Sequence, residues 1–276
     1  MSYSLKQLKL ETAFTQIQKG NYQAAFPTIR QFAENGDADC QYQLGFMYQT
    51  GAGVKQDNDL AAKWYTKAAE QGDVDCQVIL AEWYDDNEQY DLAAKWYAVA
   101  AEQGDVDAQN NLARLYAEGL GFEQDYDKAE QYWQMAAVQG DDEALYNLGV
   151  IHDDALGRDP NYEKAADFYL QAAHLGNADA MVNLGMLYQE GFGVPEDAAQ
   201  ANEWFLQAAE LGNETAQLNL GINYAEGLGV MQDFDLAEKW WTIAAKQGNK
   251  DAEAALKELA IIRAEKNKFE EPVFTA

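Results

Sequence analysis

Apolar residues recur at helical spacing in pairs of short segments, and the stretch from Asn213 to Gly248 shows the arrangement most fully. Its first segment carries Leu220, Gly221 and Tyr224, at offsets of one and four from the leucine. That spacing puts the leucine and the aromatic ring on one helix face, and the small residue lets a neighbouring helix come close. The second segment carries Ala237, Trp240, Trp241, Ala244 and Ala245. Alanines three and four apart make a flat stripe for close packing, while the aromatic pair supplies volume to bury. Both signatures stand upstream as Leu44, Gly45 and Tyr48 followed by Ala61, Trp64, Tyr65, Ala68 and Ala69, and the first returns as Leu112, Ala113 and Tyr116. The pattern predicts helix pairs that bury Trp64, Trp96, Trp133, Trp204, Trp240 and Trp241 between them.

The glycines that close each pair set the period. Gly36, Gly72, Gly104, Gly140, Gly176, Gly212 and Gly248 are 36 residues apart, except for one interval of 32 from Gly72 to Gly104. A fixed period of this size signals a solenoid, in which no unit buries its apolar face alone and stacking makes the core. Between the two helices runs a loop with two glycines (Gly51 and Gly53, Gly119 and Gly121, Gly191 and Gly193, Gly227 and Gly229), as a residue with positive φ after a helix requires. Asp57, Asp125, Asp197 and Asp233 then cap the second helix. Asp37, Asp73, Asp105, Asp141, Asn177, Asn213 and Asn249 are the expected caps of the first helix, and Asp39, Asp75, Asp107, Glu143 and Asp179 suit the positive end of its dipole.

The combination A-x-x-x-L-G-x-x-Y-x-x-G-x-G-V followed by K-A-x-x-W-Y-x-K-A-A-x-x-G resembles the Sel1-like repeat family, relatives of the tetratricopeptide repeats. The resemblance covers Asp37 to Gly248 as six units, 37–72, 73–104, 105–140, 141–176, 177–212 and 213–248. It implies an all-α fold, a right-handed α-solenoid (superhelix) of helix pairs, used as a protein-binding scaffold in adaptors and regulators. Residues 1–36 read as a degenerate capping pair, with Leu10, Phe14 and Ile17 on one helix and Tyr22, Ala25, Ala33 and Gly36 matching the second. Pro27 falls in that second pattern and is tolerated only in a first turn. Residues 249–268, with Ala252, Ala255, Leu256, Leu259 and Ile262 at helical spacing, read as a closing helix, and 269–276 as a mobile tail, with folding back or binding through Phe269, Val273 and Phe274 as the alternative.

Three departures from the pattern invite chemistry. Unit 73–104 lacks the two-glycine loop, and its Asp85, Asp86 and Glu88 resemble a calcium loop only loosely, lacking the glycine and distant glutamate of an EF-hand. His152 replaces a repeat tyrosine beside Asp153 and Asp154, with G-R-D-P-N-Y-E as its loop, yet neither it nor His174 sits in a ligand motif, so it reads as a packing residue. Cys40 and Cys76 occupy matching positions where other units have Ala108, Ala144, Ala180 and Ala216. Equivalent helices stand roughly 10 Å apart, beyond the reach of about 7 Å for a disulfide, which predicts reduced, buried thiols. The cysteine-rich branch of the family, to which β-lactam hydrolysis is attributed, carries paired cysteines within each repeat, a pattern this chain lacks.

Charge narrows the partners. With 47 acids against 19 bases the chain carries −28, which repels phosphate backbones and anionic membranes, so neither nucleic acid nor membrane insertion is expected. The same charge keeps a long exposed surface soluble. Met1 to Gly20 holds no apolar run long enough for a signal peptide, which points to the cytoplasm unless a leader was removed earlier. No nucleophile elbow, phosphate-binding loop or metal constellation is present, so no catalytic residue, cofactor or metal is expected.

Function then falls to the positions that the repeat leaves variable. By resemblance to tetratricopeptide arrays the first helices line a concave face, with positions two before, two after and five after the repeat leucine pointing into it. These are Tyr42, Phe46 and Gln49; Val78, Glu82 and Asp85; Asn110, Arg114 and Ala117; Tyr146, Val150 and Asp153; Val182, Met186 and Gln189; and Leu218, Ile222 and Ala225. Asn111, Asn147, Asn183 and Asn219 either bond a bound peptide backbone or tie adjacent helices together. The expected partner is another protein or peptide, basic with apolar anchors. The reading is a non-catalytic interaction scaffold or adaptor; an inhibitor or immunity protein for one basic toxin or enzyme, and a hydrolase, are its alternatives.

Overall fold

The computed structural model describes residues 5–153 and 159–270, and among these every regular element is an α-helix. Asp154, the start of the loop at 157–163 and the tail beyond residue 270 lie outside the described residues. The chain divides after Met135 into two compact units. The first holds α1 (Leu5–Gln18), α2 (Tyr22–Glu34), α3 (Ala38–Thr50), α4 (Asn58–Ala69), α5 (Val74–Asp86), α6 (Tyr90–Glu102), α7 (Val106–Glu118) and the start of α8 (Tyr126–Val138). The second continues from the end of α8 through α9 (Asp142–Asp153), α10 (Tyr162–Leu175), α11 (Ala178–Glu190), α12 (Ala198–Glu210), α13 (Glu214–Glu226), α14 (Phe234–Lys246) and α15 (Lys250–Glu270). From α1 to α7 and from α9 to α15 each helix packs on the next, the arrangement a stack of helix pairs requires. Residues 269 and 270 continue α15, where the sequence pattern ends the helix at 268.

Capping follows the sequence closely. Asp37, Asp73, Asp105, Asp141, Asn177, Asn213 and Asn249 each accept a hydrogen bond from the backbone N–H three residues on. Asp57, Asp125, Asp197 and Asp233 do the same for α4, α8, α12 and α14. Each such cap contributes on the order of 1 kcal/mol. In the second unit two of the asparagine caps have a further use, because Asn177 Nδ2 donates to Asp142 and Asn213 Nδ2 to Asp179. An aspartate there would meet a like charge instead. Pro27 is the sixth residue of α2, past the first turn, so it removes an amide that the helix would otherwise use.

The core is built from the repeat leucines, the alanine stripes and one ring per pair. Leu44, Leu80, Leu112, Leu148, Leu184 and Leu220 are all buried, each worth roughly 1.5–3 kcal/mol of transfer free energy. The inner ring of each second helix (Tyr65, Tyr97, Trp133, Tyr169, Phe205 or Trp241) is buried beside them. Of the six tryptophans expected inside, Trp133, Trp204 and Trp241 are buried and Trp64, Trp96 and Trp240 are half-buried. Those three sit at the edge of the stripe, where Lys67, Lys95 and Lys239 each place an ammonium 4.0, 5.9 and 5.1 Å from the ring centre.

A second layer of order is polar. Gln41, Gln77, Gln109 and Gln217 are buried one residue after the cysteine or alanine that packs the first helix, and each donates to a carbonyl near the end of the preceding helix: Ala33, Ala69, Ala101 and Ala209. Three of them accept in turn from a glutamine after the next helix, Gln71, Gln103 and Gln247, at 2.6, 2.7 and 2.8 Å. The equivalent residues in the fourth and fifth pairs are Leu145 with Leu175 and Met181 with Leu211. Both members change together, as expected when a buried glutamine amide and its outer partner work as a pair.

Candidate protein-binding face

Several variable positions of the first helices pack against the helix that follows them, and the two units are described separately. In the first unit Tyr42 is half-buried with its ring 6.0 Å from Tyr65, and Phe46 is half-buried 6.2 Å from Tyr22. Val78 and Asn110 are half-buried, Val78 against the α6 cluster, and Glu82 is exposed. Arg114 pairs closely with Asp85 and also with Glu118 at 3.2 Å, while Asp85 accepts from the Tyr97 hydroxyl at 3.4 Å. The guanidinium is therefore partly committed inside the protein. Though its residue surface is open, the Glu82 carboxyl is partly desolvated, and that together with the charges of Asp107, Asp86 and Asp105 holds it above the usual glutamate value.

In the second unit Tyr146 lies 6.0 Å from Tyr169, and it and Val150 pack half-buried on the core. Met186 stands exposed at 43%. Val182 does not reach the face: at 4% exposure it is a core residue, covered by neighbouring helices, and it drops out of the candidate set. Leu218 is half-buried, and its carbonyl accepts from Trp241 Nε1 at 3.2 Å. Ile222 lines a cavity of about 390 Å³ with Ala225, Phe234, Trp241, Leu259 and Ile262, so the closing helix α15 frames one side of this position. The Tyr169 hydroxyl donates to Asp153 at 3.1 Å, and Asn183 on the following helix offsets part of the upward push that burial gives that hydroxyl.

The groups that suggested chemistry are packed away from it. His152 is buried and stacked on Phe168 at 5.7 Å, the packing role its repeat position implies, and His174 leans on Trp204 at 6.0 Å. Cys40 and Cys76 are free and fully buried, and burial followed by contact with Asp37 and Asp73 pushes both thiols well up, away from the nucleophilic thiolate. Among the described residues no group of three histidine, cysteine, aspartate or glutamate side chains is placed to hold a metal, and no helix is long and apolar enough to cross a membrane. The glutamine pairs and the Asp85–Arg114 bridge went unseen in the sequence, although the paired exchange to leucine at both glutamine positions is a signal visible once the repeats are aligned.

The Sel1 repeat profile matches residues 38–73, 75–105, 106–141, 142–177, 178–213 and 215–249. Among solved structures the chain is similar to c5321, a protective antigen present in uropathogenic Escherichia coli strains, at 33% identity and a TM-score of 0.77 over 83% of this chain and 50% of that one. It is also similar to a Sel1 repeat protein from Oxalobacter formigenes, at 29% identity and a TM-score of 0.69 over 86% and 96% of the two chains. A putative sel1-like repeat-containing protein, L21 of Acanthamoeba polyphaga mimivirus, is 36% identical over 64 residues, 23% of this chain and 12% of the relative. The chain thus spans half of c5321 and a small part of the viral protein. With six matches in succession, each spanning nearly all of one helix pair and the connection between its helices, this chain belongs to the Sel1 repeat family.

Proposed function

We propose that this protein is a non-catalytic interaction scaffold that holds a segment of another protein against its first helices. Sel1 repeats are protein-interaction scaffolds in general, and the observation that carries the reading here is the state of the variable positions. Tyr42, Phe46, Tyr146, Val150, Leu218 and Ile222 are only half-buried and Met186 is exposed, so apolar area stays open at the places the repeat does not need for its own packing. Beside them Glu82 is crowded by other acids, and a cation brought by the partner relieves that crowding. The partner of best fit is a segment with apolar anchors and basic flanks, approached under the field of a −28 surface.

Binding kinetics of an isolated partner at two salt concentrations test this. Higher salt should slow association, and Phe46→Ala or Met186→Ala should speed dissociation, with a loss of about 1–3 kcal/mol for an anchor. Association unmoved by salt, together with dissociation unmoved in both variants, removes the binding site from this face.

A further inference from the structure

In four of the repeats the two-glycine loop does more than turn the chain. Its second glycine lies on the first turn of the second helix of the preceding pair, so closely that an added Cβ on Gly53, Gly121, Gly193 or Gly229 would stand 2.6, 2.8, 2.2 or 2.3 Å from the backbone of Gln23, Tyr90, Tyr162 or Ala198. All four take positive φ, between 66° and 79°. The loop's apolar residue and carbonyl complete the cover: Phe192 stacks on Tyr162 at 5.0 Å, and Leu228 O accepts from Asn202 Nδ2 at 2.7 Å. Each loop is a lid on its neighbour.

The repeat at 73–104 has no such loop, since α5 ends at Asp86 and α6 begins at Tyr90. The surface left without a lid belongs to α4. Ala62 is only half-buried, whereas Ala94, Ala166 and Asn202, its equivalents beneath the lids of Gly121, Gly193 and Gly229, are buried, and the larger Phe26 beneath the Gly53 lid is half-buried. Trp83 is 39% exposed, whereas its equivalents Met47, Leu115, Ile151, Leu187 and Asn223 are at most 4% exposed. Between them lies a cavity of about 230 Å³ lined by Gln49, Asn58, Ala62, Tyr65, Ile79 and Trp83.

We propose that this cavity is a docking slot for a glycine turn of a partner protein, in which an apolar residue followed by glycine takes the place of the missing lid. The chain shows what fits the surface, because the lids read Gly-Leu-Gly at 119–121 and 227–229, Gly-Phe-Gly at 191–193 and Gly-Ala-Gly at 51–53. Glycine is required where the backbone approaches the helix start with positive φ. The bordering segments 55–63 and 82–88 hold six acids (Asp57, Asp59, Glu82, Asp85, Asp86, Glu88) against Lys55 and Lys63, so the turn is flanked by basic residues. The slot adjoins the first-helix face proposed above, sharing Gln49 with it and bordered by Glu82 and Asp85, so variants of Trp83 and Phe46, which each belong to one of the two alone, test them apart.

The probe is the blocked peptide Lys-Gly-Leu-Gly-Phe-Lys, titrated into the full chain while the backbone amides of residues 55–63 and 82–88 are followed by NMR. Saturable binding with a dissociation constant of about 1 mM or tighter is expected, weakened roughly tenfold or more by Trp83→Ala or by valine in place of the second glycine of the probe. A variant whose turn at 87–89 is replaced by the lid sequence of residues 119–125 should not bind the probe at all, and it provides the test if Trp83→Ala does not fold. Phe46→Ala should leave probe binding unchanged, which separates this slot from the first-helix face. Absence of saturation, equal binding of the valine peptide, or binding by the lid-restored variant overturns the proposal. A dimer of the native chain in sedimentation that disappears when the lid is restored overturns it too, because the slot's occupant is then a second copy.

Discussion

Gln41 sits in the core with its amide engaged in two directions, donating to the Ala33 carbonyl and accepting from Gln71. The fourth repeat resolves the same position with Leu145 and Leu175, which makes the exchange a natural double mutation. Gln41→Leu alone takes from Gln71 its 2.6 Å acceptor, leaving the longer bond to the Lys67 carbonyl at 3.3 Å, and is expected to cost about 1 kcal/mol, whereas Gln41→Leu with Gln71→Leu should recover part of that loss. Thermal denaturation of the wild type, both single variants and the double variant measures the coupling. Strict additivity would show that the pair is incidental. A single chain's sequence hides this partnership because the two residues are 30 apart and each alone looks like surface glutamine. Only the joint exchange marks them.

At the scale of the helix pair, the distance between helices is set by the residue after the repeat leucine. A Cβ on Gly221 would lie 2.2 Å from Trp241 Nε1, so glycine is what lets the indole come near enough to donate to Leu218 O. In the third pair the position is Ala113, and the matching Trp133 keeps a buried indole N–H without a hydrogen-bond partner among the described residues. Gly221→Ala gains about 1 kcal/mol of helix propensity but displaces the ring and strands the donor, which costs more. A net loss of roughly 1–2 kcal/mol is expected in denaturant unfolding, with a changed Trp241 indole resonance. Stabilisation would mean that the ring yields without penalty.

Most of this level was legible beforehand. The small residue, the inner ring and all seven first-helix caps follow from spacing, because each is a local requirement of a helix end or a close contact. The burial of Val182 and the exposure of Trp83 were not legible, because they depend on which neighbour covers a position. The deletion after Asp86 reads in sequence as a tighter turn within its own repeat, yet its consequence appears on the repeat before it.

For the whole molecule, charge is the term that no local rule balances. The described ion pairs use Arg30, Arg114, Lys128 and Arg263, while 47 acids face 19 bases along the chain, so most carboxylates repel one another across a screening length of about 10 Å at 0.1 M salt. Glu82 registers the effect as a raised carboxyl, chiefly through burial and then through Asp107, Asp86 and Asp105. A carboxyl whose folded value exceeds its unfolded one favours the fold when protonated; that contribution is present below the usual 4.5 and is lost as pH rises through the raised value. The thermal midpoint should therefore climb with added sodium chloride at pH 7. Glu82→Gln should raise it further at that pH, and the advantage should vanish below the ordinary glutamate value. A midpoint indifferent to salt, or a Glu82→Gln effect equal on both sides of that value, would assign the acidity to solubility alone. If the gains appear as expected, a basic partner and added salt act on the same unfavourable term, and binding such a partner should stabilise this chain beyond what its contacts alone provide.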